Sequence, residues 1–182
     1  APADKNGAPA GPFEKRGPVT DYDAEWRSLR HDDPNVVVTE EEILLFFKGI
    51  GPGDTHANRV FGIARTSIDR PEGPYLISRE PILRTDRGVE SPRVFRVDET
   101  WHMFALQYSL PTDTKPRRYG HFRGQDPLHW TLVNDEVLAT TSDGPQHGAA
   151  DMCPLWTPFD TQAPKFAFGN KLDDGSHGNA GL

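Results

Sequence analysis

Two stretches of this 182-residue chain match each other at a fixed offset, and that repeat limits what the chain can fold into. Pro34 in "DDPNVVV" and Pro92 in "ESPRVF" stand at an offset of 58. Ile43 in "ILLFFKG" precedes Trp101 in "WHMFALQ" by 58, and Gly62 in "RVFGIAR" precedes Gly120 in "RRYGHFR" by 58. Beyond these anchors the register slips. "GPYLISREPIL" (Gly73 to Leu83) corresponds to "LHWTLVNDEVL" (Leu128 to Leu138), where Leu83 and Leu138 are 55 apart. The segments are short and rich in β-branched and aromatic residues, with turn signals such as "PEGP" between them. Each unit therefore predicts four strands, which in the first copy are "PNVVV", "ILLFFKG", "RVFGIAR" and "PYLISREPIL". A third copy opens with "MCPLWTP" and "APKFAFGN". Only "AEWRSLR" (Ala24 to Arg30) has helical character, enough for a turn or two.

Four short strands in each repeated unit predict an all-β fold built of propeller blades, each of four antiparallel strands. A β-sandwich with chance similarity between hairpins is the rival. Propellers close with about four to eight blades, whereas this chain supplies roughly three, the last incomplete. The expectation is a partial propeller that belongs to a larger ring or is completed by a second chain or by a homo-oligomer. The blades are assigned to residues 19–170, after an Ala-, Gly- and Pro-rich arm at 1–18 and before a polar tail at 171–182.

The composition fits short elements joined by many turns: 35% hydrophobic residues, 17 Gly and 17 Pro. A net charge of -7 argues against nucleic acid and anionic membrane as partners, and no run approaches the ~20 apolar residues of a membrane span. The single cysteine, Cys153, allows neither an intrachain disulfide nor a CxxC motif and is expected as a small buried apolar residue. The opening "APADKNGAPAGP" has the character of a tail left when a leader is removed, so a secreted or periplasmic protein is expected.

Taken in order, "DPNVVVTEEEILLFFKG", "FGIARTSIDRPEGPYLISREPIL" and "VESPRVFRVDETWHMFALQYS" resemble the five-bladed β-propeller glycoside hydrolases, families 43, 32 and 68 with the related families 117 and 130. The closest echo is family 117, the neoagarobiose-type α-1,3-anhydrogalactosidases, in which an HDP strand, a strand ending in KG and a GPY segment follow in this order. "RGQDPLHWTL" (Arg123 to Leu132) is similar to the S-x-D-G-x-x-W strand of such blades. The resemblance runs from about Asp21 to Phe168. It implies a glycosidase acting on a plant or algal oligosaccharide, inverting, with water as nucleophile, no required cofactor and room for a structural cation. A non-catalytic carbohydrate-binding or assembly module derived from such an enzyme is the alternative.

Glycoside hydrolysis needs an acid for the leaving oxygen and a carboxylate to activate water or to attack. By resemblance, Asp33 in "HDDP" matches the Asp-Pro acid that orients substrate and tunes the general acid, and Glu90 in "ESP" matches the general acid itself. Glu90 must carry a proton to act, which burial or a neighbouring carboxylate such as Asp33 would favour. Asp32 stands at the same offset of 58 from Glu90 and competes with Asp33. Each proline is expected to keep the residue before it extended. Two departures weaken the match. The family's water-activating aspartate sits in a blade upstream, where only "EKRGPVTDYDAEWRSLR" lies here, leaving Asp21 or Asp23 as stand-ins. Val89 occupies the place of the family 117 acid histidine.

Further substrate contacts are expected from His31 beside the acids and from His147 in "GPQHG", which resembles the funnel-centre histidine of family 43. Trp26 and Trp156 are candidates for stacking on sugar faces, and Arg93 for pairing with a carboxylate or sulfate. His56 is read as a loop residue able to overhang the substrate, and His102 shows no chemical context. No histidine spacing suits a dedicated zinc site, and metal ligands stay unassigned.

Overall fold

The computed structural model describes residues 17–53, 55–108, 110, 117–135, 137, 148–155 and 165–171. Strands β1 (Arg30–Val38), β2 (Glu42–Ile50), β3 (Arg59–Ser67) and β4 (Leu76–Ile77) form one antiparallel sheet in sequence order. Strands β5 (Val89–Val97), β6 (Thr100–Tyr108), β7 (Arg117–Gly124) and β8 (Thr131–Asn134) form a second sheet with the same order. Strands β9 (Gly148–Leu155) and β10 (Lys165–Lys171) pair antiparallel on their own. No α-helix occurs among the described residues; "AEWRSLR" makes a three-residue 3-10 turn, Glu25–Arg27.

The two sheets correspond in register as well as in order. β2 starts at Glu42 and β6 at Thr100, an offset of 58; β3 starts at Arg59 and β7 at Arg117, the same offset. The slip in offset also has a structural counterpart. Ile82 donates its backbone N–H to the Phe61 carbonyl at 2.8 Å, and Val137, at the offset of 55, donates to the Tyr119 carbonyl at 2.9 Å. The fourth strands are shorter than the sequence suggests. β4 keeps two ladder residues, and the "EPIL" end of its segment instead returns to β3 through the Phe61–Leu83 bridge.

Period-two alternation divides β2 between two cores. Leu44 and Phe46 face the second sheet and pack with Phe61, Ile63, Val94, Met103 and Phe122. Leu45 and Phe47 face the other way, where Trp26 closes the surface together with Val60 and Ala64. Gly62, the third repeat anchor, makes that closure possible: a Cβ there would fall 2.3 Å from the Trp26 ring and 2.8 Å from Phe47. Further along the same outer face Val36 and Val38, 55% and 61% exposed, are left uncovered.

The innermost strands of both sheets carry the same bulge. Asp33 and Pro34 interrupt the pairing of β1 with β2, and Ser91 and Pro92 interrupt that of β5 with β6. Pro tolerates such a place because no ladder N–H is required of it. The extended conformation expected before each proline is not what forms. Asp33 has φ 52° and Ser91 has φ 53°, both left-handed. Fitting the extra residue bends the strand, and one residue of each bulge is held in the left-handed region. That conformation costs about 1–2 kcal/mol for an L-residue, so the surrounding bonds must hold it.

Candidate active site

Those bonds run between the sheets. Asp33 Oδ2 accepts the Ser91 backbone N–H at 3.0 Å, and Asn35 Oδ1 accepts the Val94 N–H at 2.9 Å. Each is a side chain of β1 satisfying the backbone of β5, so the two bulges lock side by side.

Three carboxylates meet at the locked bulges, and a lysine stands between them. Lys48 continues the inward face of β2 after Leu44 and Phe46 and is 1% exposed. Its Nζ lies 2.8 Å from Asp33 Oδ2, 3.1 Å from Glu90 Oε1 and 3.1 Å from Asp32 Oδ1. Burial alone would lower the Lys48 pKa, but Asp33, Glu90 and Asp32 together raise it above the ordinary lysine value, so the ammonium persists. Among the described residues no three His, Cys, Asp or Glu are grouped to hold a metal.

Glu90 is held from its other oxygen by Tyr108, whose hydroxyl donates to Oε2 and itself accepts from Arg59 Nη1. The His56 ring stacks on the Tyr108 ring with centroids 4.0 Å apart, so the β2–β3 loop leans over this corner. Lys48 and Tyr108 both approach Glu90 as donors. The arrangement presents its carboxyl as an acceptor, with Asp33 reaching it through the shared ammonium.

Asp32 differs from its neighbours. Its Oδ2 pairs with the exposed Arg30 at 2.9 Å, but Oδ1 is buried and makes no aligned hydrogen bond despite the lysine 3.1 Å away. Burial, with a smaller push from the Asp33 charge, raises its pKa above the ordinary 3.8. A raised carboxyl pKa means that ionising Asp32 costs the folded state. That cost is present at neutral pH and fades as pH falls towards 3.8. Asp32→Asn is therefore expected to melt within about 2 °C of the wild type at pH 7, or slightly above it. Any advantage should shrink in melts repeated near pH 4. A loss of more than about 5 °C at pH 7 would show that Asp32 is an essential counter-ion.

The remaining sequence candidates lie elsewhere. His31 pairs with Gly49 across the ladder, so its ring points to the outer face, away from Asp32. Its Nε2 donates to the Arg27 carbonyl at 2.7 Å, and Nδ1 accepts from the Thr20 hydroxyl at 2.7 Å. Burial lowers its pKa, in keeping with this neutral tautomer. His31 is therefore packed between Tyr22 and Phe47 and makes no hydrogen bond to the carboxylates around Lys48. Trp26 is 9% exposed on the same outer face, with its indole N–H given to the Arg79 carbonyl at 2.9 Å. Arg93 donates Nη1 to the Pro92 carbonyl at 2.9 Å. Asp21 is taken up by Arg27 at 2.6 Å. His147 and Trp156 lie outside the described residues, as do the arm at 1–16 and the tail from 172. His102 does have a partner: its Nδ1 is 2.9 Å from Nε2 of His121 in the second sheet.

Lys48 and Tyr108 were not found from the sequence. The available signal was register: Leu44, Phe46, Lys48 and Ile50 alternate along "ILLFFKGI", placing a charge on a core-facing row beside a strand that carries two acids.

Neither a protein-family model nor a curated protein matches the sequence. Solved structures do match. BT0996, in a complex with RGII, superposes with a TM-score of 0.68 at 11% identity, over 90% of this chain and 49% of that one. The fold is that of the β-propeller glycoside hydrolases. A glycosyl hydrolase from Bacteroides ovatus has TM-score 0.60 and 16% identity, over 84% of this chain and 52% of that one. The catalytic domain of the Coprinopsis cinerea GH62 alpha-L-arabinofuranosidase has TM-score 0.61 and 14% identity, over 85% and 52% respectively. The chain spans about half the length of the structures it matches.

Proposed function

We propose that this chain carries the acid side of a glycoside hydrolase that cleaves a plant or algal oligosaccharide with inversion and without a redox cofactor. The observation that carries the reading is the convergence of Asp33 from one blade and Glu90 from the next at matching inner-strand bulges. In this role the proton for the glycosidic oxygen passes through Glu90 from the Lys48 ammonium, from which its resting carboxylate accepts, and Asp33, fixed to the backbone of Ser91, holds the sugar and the acid in register. Lys48 keeps both side chains aimed at one point. The order of the HDP strand, the KG strand and the GPY segment favours a family 117-like member, with Val89 in place of its histidine pointing to a glutamate acid.

Asp33 is not the water-activating base in this reading. Its oxygen and that of Glu90 touch the same nitrogen, so they lie within about 6 Å of each other, short of the 6.5–9.5 Å that an inverting pair leaves for water. The base comes from a further part of the propeller. The uncovered Val36 and Val38 suit such a further blade. Export to the periplasm or medium completes the proposal.

The test is product formation by NMR on neoagaro-, arabino-, xylo- and fructo-oligosaccharides. Glu90→Gln is expected to lower kcat by about 10²–10⁴-fold, and Asp33→Asn by about tenfold or more with circular dichroism confirming the fold. Loss of activity in neither variant would sink the assignment.

The second reading is a carbohydrate-binding module. It is favoured by Lys48, whose ammonium already occupies Glu90 Oε1. Saturable binding without cleavage, unchanged in Glu90→Gln, would decide for it.

A further inference from the structure

A cavity of about 410 Å³ opens where the Glu25–Arg27 turn, the β2–β3 loop and the segment from Arg79 to Arg84 meet. Neither Lys48 nor any of its three carboxylate partners lines it. We propose that it binds an uncharged sugar unit, as a carbohydrate subsite separate from the acid cluster.

Its walls are fixed before any ligand arrives. The Trp26 indole N–H is bonded to the Arg79 carbonyl at 2.9 Å, and Arg27 Nη1 donates to the Ser78 carbonyl at 3.1 Å. These two bonds pin the Arg79 segment to the 3-10 turn. On the loop side the Asn58 carboxamide donates to the Pro52 carbonyl at 2.7 Å, which leaves its oxygen as an acceptor. The volume falls within the range of about 300–1,000 Å³ typical of small-molecule sites.

The charge pattern selects the ligand class. The lining residues include two arginines, Arg79 and Arg84, and two glutamates, Glu25 and Glu80. Among the described residues none of the four is in an ion pair. An anion would gain the arginines but meet both glutamates, and a cation would meet the reverse. A sugar has hydroxyls that accept from guanidinium and donate to carboxylate at once, through the charge-assisted bonds that are the strong ones.

The inference does not depend on Glu90 being a catalytic acid, and the experiment separates the two. The ¹⁵N-labelled full chain is titrated with methyl β-D-galactopyranoside and with methyl α-L-arabinofuranoside, following the Trp26 indole and Asn58 carboxamide signals. Potassium sulfate and methylammonium chloride serve as the anion and cation probes. At least one glycoside is expected to shift both signals saturably, with Kd on the order of 1–10 mM. Affinity should fall at least about tenfold in Arg84→Ala and in Glu80→Gln, both exposed and so safe for folding, and stay unchanged in Glu90→Gln. No shift with either glycoside overturns the proposal. So does a response to sulfate or methylammonium that matches or exceeds the response to the glycosides.

Discussion

Lys48→Met is expected to cost about 3–5 kcal/mol of folding stability, because it removes the one cation shared by three half-buried carboxylates. Methionine approximates the lysine stem and should still pack beside Phe46 and Phe61, so little of the loss is packing. What remains is Asp33 and Glu90 close together without their common counter-ion. For a chain of this size the melting temperature should fall by about 10 °C or more. The pH dependence gives the cause. In the wild type the raised Lys48 pKa means its contribution is complete below the ordinary value of 10.5 and is lost only as pH rises through the folded value. In the variant, acid relieves the remaining repulsion by protonating carboxylates, so the deficit should be largest near neutrality and shrink towards about pH 4. Adding Asp33→Asn and Glu90→Gln to Lys48→Met should recover much of the loss, since the three residues act as one unit. A deficit below about 1 kcal/mol, or one that does not vary with pH, would mean that the ion cluster contributes nothing beyond packing.

This cluster also marks the boundary of what the sequence discloses. Asp32, Asp33 and Glu90 are legible because they precede prolines at repeat-related positions, and a repeat is information the chain carries about its own geometry. The same holds for the four-strand order and for the slip of offset, which Ile82 and Val137 turn into equivalent hydrogen bonds. Lys48 is not legible in that way. A lysine near the end of "ILLFFKG" ordinarily reaches for solvent, and its burial follows only once β1 and β5 deliver carboxylates to its register position. The places of His31 and Trp26 are hidden for the complementary reason. Proximity in sequence puts His31 beside the acids, but strand alternation turns adjacent residues to opposite faces. Trp26 looks like a free stacking platform until Gly62, far along the chain, leaves a slot for it.

The same dependence on a distant glycine makes Gly88→Ala the second large effect. Gly88 sits just before β5 with φ 67°, and a Cβ there would lie 1.7 Å from the His56 carbonyl oxygen. Two costs combine. The left-handed conformation alone costs an L-residue about 1–2 kcal/mol. The clash is with backbone, which has no rotamer to change, so the β2–β3 loop must move away. A total of at least about 3 kcal/mol is expected, and His56 should leave the Tyr108 ring that it stacks on, loosening the corner that holds Glu90. Gly53→Ala is the matched control. Gly53 has φ 89° and its nearest neighbour to an added Cβ is the Asn58 side chain at 3.5 Å, so only the conformational cost applies. Chemical denaturation of the two variants gives the difference, and the His56 ring signals report the loop. If both variants lose the same stability and His56 keeps its signals, the loop yields freely over Gly88. Its hold on Tyr108 is then too loose to fix the geometry of Glu90.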